Sequence, residues 1–410
     1  MTVRRVGFCL AVGVLAGCSP QPPSSPVVKI AFIDPLTGPF GEVGQNQLRS
    51  WQWVAEQHNA QAKPGAVRFE VVGFDNRGSP QESVNAIKVV IDQGFRYVVQ
   101  GNSSGVAHLI VETLNRHNAR SPGHEVVYLN YAAMDPALTN EQCSPWHFRV
   151  DADTSMKVEA LALYMREQPQ IKKLFLLNQN YAHGQQVASF FKAALARHRP
   201  DISIVGDELH PLGAVKSFDA HVGRIRASGA QAVVTGNWGP DLTRLVQSLR
   251  QADVQVPLFT YYAAVSGTPK ALAEMSRAEV YLIAANHSEH EGELGRLMRD
   301  FKAEHGEDFY SLATYTGLNL LALAIERAGT TEPVAVASLL SGMRITGFDG
   351  PQTMRSDDHQ LQTGLWLSRW QKVGAQGVDG LAQTGYGFAP VAFLSAAQVS
   401  RPTVCEMQQP

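Results

Sequence analysis

Gly101-Asn102-Ser103-Ser104-Gly105 is the stretch in which residue type and spacing bear most directly on chemistry. It stands between a strand-length apolar run, Tyr97 to Val99, and a helix-period segment carrying Val106, Leu109, Ile110 and Leu114. At a strand-to-helix junction, free backbone N–H groups and the positive end of the helix dipole favour an anion, and Ser103 and Ser104 add two hydroxyl donors. A carboxylate is the expected guest; the alternative is that the serines only cap the helix. Tyr131, Ala132 and Ala133 follow the next apolar run, at the strand end where open α/β sheets bind ligands. Tyr181, Trp238, Tyr262 and Phe40 are candidate apolar walls, because small-molecule pockets are mostly hydrophobic with few fixed polar groups.

Catalytic readings of the same residues are weaker. Gly101 to Gly105 fits the G-x-S-x-G nucleophile elbow, with Ser103 as nucleophile of an exported serine hydrolase. Yet only two strand-length runs precede the one that leads into it, and no His-Gly-Gly segment upstream offers an oxyanion hole. Gly38, Gly41 and Gly44 do not form G-x-G-x-x-G, and Asp75 lies too far along for a dinucleotide site. His287-Ser288-Glu289-His290-Glu291 is the densest metal-like cluster, but its two histidines make no recognised zinc pattern, and a solvated helix entry is expected there. The expectation is therefore a protein that is no enzyme, with no catalytic residue, no cofactor and no metal.

These segments need elements to hold them. Apolar runs of strand length alternate with helix-period segments through most of the chain, the sequence form of a parallel sheet with crossover helices, so the fold class is α/β. The first series reads as strand Val28 to Ile33, a helix near 45–59, strand Val67 to Phe74, a helix capped by Ser79 with Pro80 at its first position, strand Tyr97 to Val99, a further helix, and strand Val126 to Leu129. Periodicity lapses from Tyr131 to Asp153, and a second series follows with helices at 154–167 and 184–198, strands at 172–178, 202–209 and 232–235, a helix from Pro240 and a strand near 258–261. A strand at 280–285, two or three helices through 340 and strand-rich sequence from 350 complete the pattern. Two Rossmann-like lobes joined by several crossovers are expected, with a ligand cleft between them: 28–150 and 275–350 in the N-lobe, 151–274 and 351–410 in the C-lobe and tail.

The 410 residues, 44% hydrophobic and 18% charged, suffice for such a body. With 35 basic against 37 acidic residues the formal charge is -2, without the basic surplus of a nucleic-acid-binding surface, so nucleic acid is excluded as a partner. Arg4 and Arg5 precede an apolar stretch, Val6 to Ala16, too short to span a bilayer, and residues 1–17 read as a signal peptide. Leu15-Ala16-Gly17-Cys18 resembles the bacterial lipobox, and that resemblance implies lipid on Cys18 and a membrane-anchored periplasmic or cell-envelope lipoprotein; the Pro/Ser composition of Ser19 to Pro26 makes 18–27 the lipidated Cys and a flexible tether. Cys9 leaves with the signal, so Cys143 and Cys405 remain, and in an oxidising compartment a disulfide between them is expected.

Six segments, taken in order, resemble the type I periplasmic substrate-binding proteins of ABC importers, in the branch typified by the leucine/isoleucine/valine-binding (branched-chain amino acid) proteins. They are Ile30 to Pro39, Phe74-Asp75-Asn76, Tyr97 to Ser104, Ala132 to Thr139, Asn180-Tyr181-Ala182-His183-Gly184 and Gly236-Asn237-Trp238-Gly239-Pro240-Asp241, within a match over about residues 28 to 395. The resemblance implies the periplasmic-binding-protein type I fold and capture of a small amino acid or related small carboxylate by hinge closure, with delivery to an ABC permease in the inner membrane. It implies Ser104 as the carboxylate-binding serine, backbone groups offered by the loop at Tyr131 to Ala133, and Asp241 facing a ligand ammonium. Met134 stands where the family has a hydroxyl residue, and Val43 where relatives often carry an aromatic, so this chain departs from a standard amino-acid pocket. A monomer is expected. The same fold also serves ligand-sensing lipoproteins without transport.

Overall fold

Ile30, Ala31, Phe32 and Ile33 follow one another in the first strand and are all fully buried, although successive side chains point to opposite faces of a sheet. Such a strand needs helices on both sides, the arrangement of a parallel sheet. The computed structural model of the chain describes residues 1–2, 25–265, 267–275, 277–374 and 380–407. Of the expected signal peptide, Cys18 and the tether, residues 3–24 lie outside the described residues.

The first lobe begins with β1 (Val27–Asp34), α1 (Gly41–Gln61), β2 (Arg68–Asp75), α2 (Pro80–Asp92), β3 (Tyr97–Gln100), α3 (Ser104–Arg120), β4 (Val127–Asn130) and β5 (His147–Arg149). The α2 start follows its sequence signals, with Ser79 accepting from the Glu82 N–H and Pro80 in the first turn. The strands form a parallel sheet in the order β2-β1-β3-β4-β5. Trp51, Trp53 and Val54 of α1 pack on one face, and Ile87, Val90, Val106 and Ile110 of α2 and α3 on the other. Sequence periodicity missed β5, a three-residue strand in a proline-containing stretch too short to show a period.

The second lobe runs through α4 (Thr154–Met165), β6 (Lys173–Gln179), α5 (Ala182–His198), β7 (Ser203–His210), α6 (Asp219–Ser228), β8 (Ala232–Val234), α7 (Gly239–Gln251), β9 (Leu258–Thr260), α8 (Thr268–Ala273) and β10 (Val280–Ala284). The chain then returns to the first lobe with α9 (Gly292–His305), α10 (Leu312–Ala328), α11 (Pro333–Leu340), β11 (Arg344–Gly347), β12 (Gly350–Met354) and β13 (Leu361–Gln362). It finishes in the second with β14 (Leu365–Lys372), β15 (Tyr386–Leu394) and α12 (Ala396–Val399). The second sheet has the order β15-β14-β10-β9-β8-β6-β7, with β14 and β15 antiparallel at one edge.

Two expected lobe boundaries move. The return expected at 275 comes after Ala284, because β10 pairs with β9 and buries Val280 and Leu282 in the second-lobe core. The crossing expected at 351 comes after Gln362, because Met354 and Leu361 bury with Met343 in the first-lobe core. Apolar spacing specifies strand or helix, but not which sheet a strand joins.

Arg149, fully buried, ties two of the three crossings together. Its Nε donates to Gln360 Oε1 at 2.5 Å, and one Nη donates to the Asp135 carbonyl at 2.5 Å. The other Nη meets Asp153 Oδ2 at 3.2 Å, so the buried charge has a counter-ion. The tail makes a further crossing. Val399 of α12 packs in the second-lobe core, Thr403 Oγ1 donates to the Thr139 carbonyl at 2.7 Å, and Cys405 is joined to Cys143 with Cα atoms 5.8 Å apart.

A link between positions 262 apart restricts the unfolded chain strongly. Replacing Cys143 and Cys405 together by Ser is expected to cost about 2–5 kcal/mol in urea denaturation; an unchanged midpoint would show that the link carries no stability.

Candidate functional site

In each sheet one strand has neighbours reached by connections in opposite directions. β1 lies between β2 and β3, and β6 lies between β7 and β8. The loops leaving the carboxyl ends of such strands diverge and leave a crevice, the usual ligand position in open α/β sheets. Here the two crevices face each other. A cavity between the lobes is lined by Gly101 to Ser104 after β3 and Ala132 to Met134 after β4, with Val43 and Gln47 from α1. The second lobe supplies Tyr181 and His183 after β6, Trp238 after β8, and Tyr262 and Val265 after β9. Its volume is about 20 Å³, room for roughly one water.

The loop after β3 is held from beneath. Asp34, the last residue of β1 and fully buried, accepts from the N–H groups of Gly101 at 3.0 Å and Asn102 at 2.8 Å, from Gln100 Nε2 at 3.2 Å, and from the Tyr131 hydroxyl. Burial pushes its pKa up from 3.8 to about 7, against the opposing pull of these donors. Asn102 Nδ2 also donates to Gln47 Oε1 at 2.6 Å, which ties the loop to α1.

Ser103 follows at φ 79° and ψ 111°, in the left-handed half of backbone space, where a non-glycine residue costs about 1–3 kcal/mol. Its side chain makes no capping bond to α3, so the capping alternative fails at Ser103. Ser104 is 2% exposed, lines the cavity, and has no hydrogen-bond partner for its hydroxyl among the described residues. Intrahelical bonding starts only with the N–H groups of Val106 and Ala107, both reaching the Ser103 carbonyl at 3.1 Å. The N–H groups of Ser104 and Gly105 precede those bonds and remain available at the positive helix end.

The hydrolase geometry is not formed. A nucleophile needs a base within hydrogen-bond reach, and among the described residues the Ser103 hydroxyl is bonded to no histidine; His183, on the cavity wall, has its Nδ1 3.1 Å from Thr154 Oγ1. Burial, with Lys157 nearby, lowers its pKa to about 4 and keeps it neutral. The His287 and His290 cluster also differs from expectation: His287 is buried, His290 half-buried, and their rings stack with centroids 3.7 Å apart before α9 begins. No cluster able to hold a metal ion occurs among the described residues.

Seven predicted residues meet at the cavity: Ser103, Ser104, Ala132, Ala133, Tyr181, Trp238 and Tyr262. Trp238 Nε1 donates to Tyr181 Oη at 2.8 Å, and Tyr262 Oη donates across the lobes to the Ala132 carbonyl at 3.3 Å. Three predicted residues take other places. Tyr131 is fully buried, its hydroxyl engaged by Asp34 and 2.9 Å from Gln47 Oε1, so it supports the loop and does not line this cavity. Phe40 reaches from the first lobe into the second, where its ring lies 4.3 Å from that of Trp238. Gly213 and Gly239 make room for it, since a Cβ on either would sit 3.1 Å from the Phe40 ring. Asp241 lies behind the wall, fully buried, its Oδ2 accepting from Gln179 Nε2 at 2.7 Å and from the Gly213 N–H at 2.8 Å. Gln47, Asn102 and His183 were not singled out from the sequence; Asn102 and His183 lie inside quoted segments, whereas nothing marked Gln47, a polar residue within a helix.

A family profile described as "Periplasmic binding protein" matches residues 27–378. The chain is 25% identical over 413 aligned residues to "Leu/Ile/Val-binding protein homolog 4" of Brucella abortus (strain 2308), covering 98% of this chain and 96% of that protein. Its fold is similar to the closed conformation of a leucine-, isoleucine-, valine-, threonine- and alanine-binding protein from Brucella ovis, with TM-score 0.83, 25% identity, and 94% and 100% of the two chains covered. It is also similar in fold to an ABC-transporter solute-binding protein from R. palustris in complex with 4-hydroxybenzoate, with TM-score 0.74, 18% identity, and 90% and 97% coverage.

Two consequences can be measured. Ser103→Gly relieves the left-handed backbone and is expected to raise stability by about 1 kcal/mol in urea denaturation; a loss would mean that the serine side chain holds the loop. Asp34 has a raised pKa, so between about pH 4 and 7 the folded protein keeps a proton that the unfolded chain has lost. Its contribution therefore falls as pH rises through that window and levels off above it. Comparing urea midpoints at pH 5 and pH 7.5, Asp34→Asn should show a smaller decline than the unaltered protein, and equal declines would exclude Asp34 as the source.

Proposed function

Because the chain belongs to the periplasmic binding protein family, we propose that it is the solute-capturing component of an ABC importer, closing on a small amino acid or related small carboxylate and delivering it to an inner-membrane permease. The observation that carries the reading is the cavity between two facing switch points, lined from both lobes, with the unpaired Ser104 hydroxyl and free N–H groups at the start of α3. Ser103 and Ser104 hold the carboxylate. Tyr181, Trp238 and Tyr262 form walls around the body of the solute. Names and bound ligands of similar proteins, branched-chain amino acids in some and 4-hydroxybenzoate in another, fall within this class.

The mechanism is hinge closure. A cavity of about 20 Å³ admits no solute of several heavy atoms, so entry requires the lobes to part and the Tyr262 to Ala132 hydrogen bond to break. A solute that touches both lobes favours the closed state by its differential affinity for it. Lipid on Cys18 would hold this body at a membrane surface, and the chain would act as a monomer without covalent chemistry. No helix among the described residues is long and apolar enough to cross a membrane.

A thermal-shift and calorimetric screen of the soluble body from about residue 27 is expected to find a small carboxylate that raises the melting temperature with concentration and is recovered unchanged. Small-angle scattering should show compaction on binding, and Ser104→Ala should weaken binding at least tenfold, about 1.4 kcal/mol. Turnover of an ester with no binding of any carboxylate would overturn the proposal.

A further inference from the structure

The charges around the cavity limit the solute further. Resting on the solute-capture reading above, we infer that the solute is a carboxylate that carries no ammonium group. No Asp or Glu occurs among the residues that line the cavity. Three acids of the elements around the cavity already have partners inside the protein. Asp34 is covered by the loop it holds and meets four donors. Asp151 lines an adjoining cavity, and its Oδ2 lies 2.8 Å from the Nζ of the buried Lys157, which sits over the Tyr262 ring, 5.5 Å from its centroid.

Asp241, the acid that the family resemblance sets opposite a ligand ammonium, does not line the cavity and has partners of its own. One oxygen accepts from Gln179 and Gly213, and the other, with no hydrogen bond, faces the Arg244 guanidinium at 3.8 Å. Its counter-charge is therefore supplied within the second lobe. His183 on the wall adds no charge, since burial keeps it neutral. An ammonium group closed into this cavity would lose its water and meet no counter-ion, a large penalty in a low-dielectric site. A carboxylate meets the opposite situation: free N–H groups, the helix dipole, and the hydroxyl of Ser104, which is 2% exposed and unpaired. Val43, Met134, Trp238 and Val265 add apolar surface to the wall, suited to a hydrocarbon or aromatic body.

Matched pairs that differ only in the ammonium group test this directly: 3-phenylpropanoate against L-phenylalanine, 4-methylpentanoate against L-leucine, and phenylacetate against L-phenylglycine, each titrated calorimetrically into the full soluble body. The expected result is at least tenfold tighter binding of the acid without the amine in every pair that binds. An amino acid that binds as tightly as its partner, or more tightly, overturns this inference and leaves the solute-capture reading standing. Failure of all six compounds overturns the inference, and failure of the wider carboxylate screen as well overturns the capture reading. Asp241→Asn adds a second arm: the ratio within a pair should change by less than about twofold, whereas selective weakening of the amino acid would place Asp241 at a ligand ammonium and refute the inference.

Discussion

A carboxylate removed from water must be met by donors, and at Asp34 those donors belong to the loop that forms one wall of the cavity. The acid ends β1, the strand from which connections run in opposite directions, and its partners are the two backbone N–H groups that follow β3. Gln100 and Tyr131 complete the set, so β1, β3 and the end of β4 are tied through one side chain. Ser103 can then be held in an unfavourable backbone conformation, and the hydroxyl of Ser104 can remain without a partner. Such a conformation persists only where the surrounding structure over-determines it. The N–H groups of Ser104 and Gly105 follow it at the start of α3.

The second lobe meets that wall with aromatic surface. Phe40 of the first lobe lies against Trp238 of the second, Trp238 is hydrogen-bonded to Tyr181, and Tyr262 reaches Ala132. These contacts complete the cavity only when the lobes are together. Motion between them must pass through three chain crossings, two of them linked by Arg149 and Gln360, and through the tail that Cys405 and Cys143 join to the first lobe. The buried guanidinium at this junction holds a specific geometry through its several donors, and its counter-ion leaves no charge unpaired.

Much of this was legible beforehand. The alternation of strand-length and helix-length segments specified the α/β class and the two series, since a buried parallel strand must be apolar throughout and its crossover helix must be amphipathic. Ser79 and Pro80 marked a helix start that the structure repeats. The Gly101 to Gly105 segment stood out because small and hydroxylated residues at a strand-to-helix junction place donors at the positive helix end, although capping fits the same residue types. β5 did not stand out, because three residues cannot display a period.

The sequence by itself determined the class of fold, the segment at the start of α3 that lines the cavity and the aromatic character of the opposite wall, because each depends on local residue type and spacing. Only the tertiary structure decided that β10 joins the second sheet and that β12 and β13 pair with β11 in a small separate sheet, which depends on pairing that no local pattern encodes. It also decided that Tyr131 supports the loop from beneath, that Phe40 crosses to the other lobe, and that Asp241 faces Arg244 and Gln179. Those outcomes follow from the direction of a side chain within a packed environment. A residue's type limits the bonds it can make, but the neighbours that folding brings to it determine which of them form.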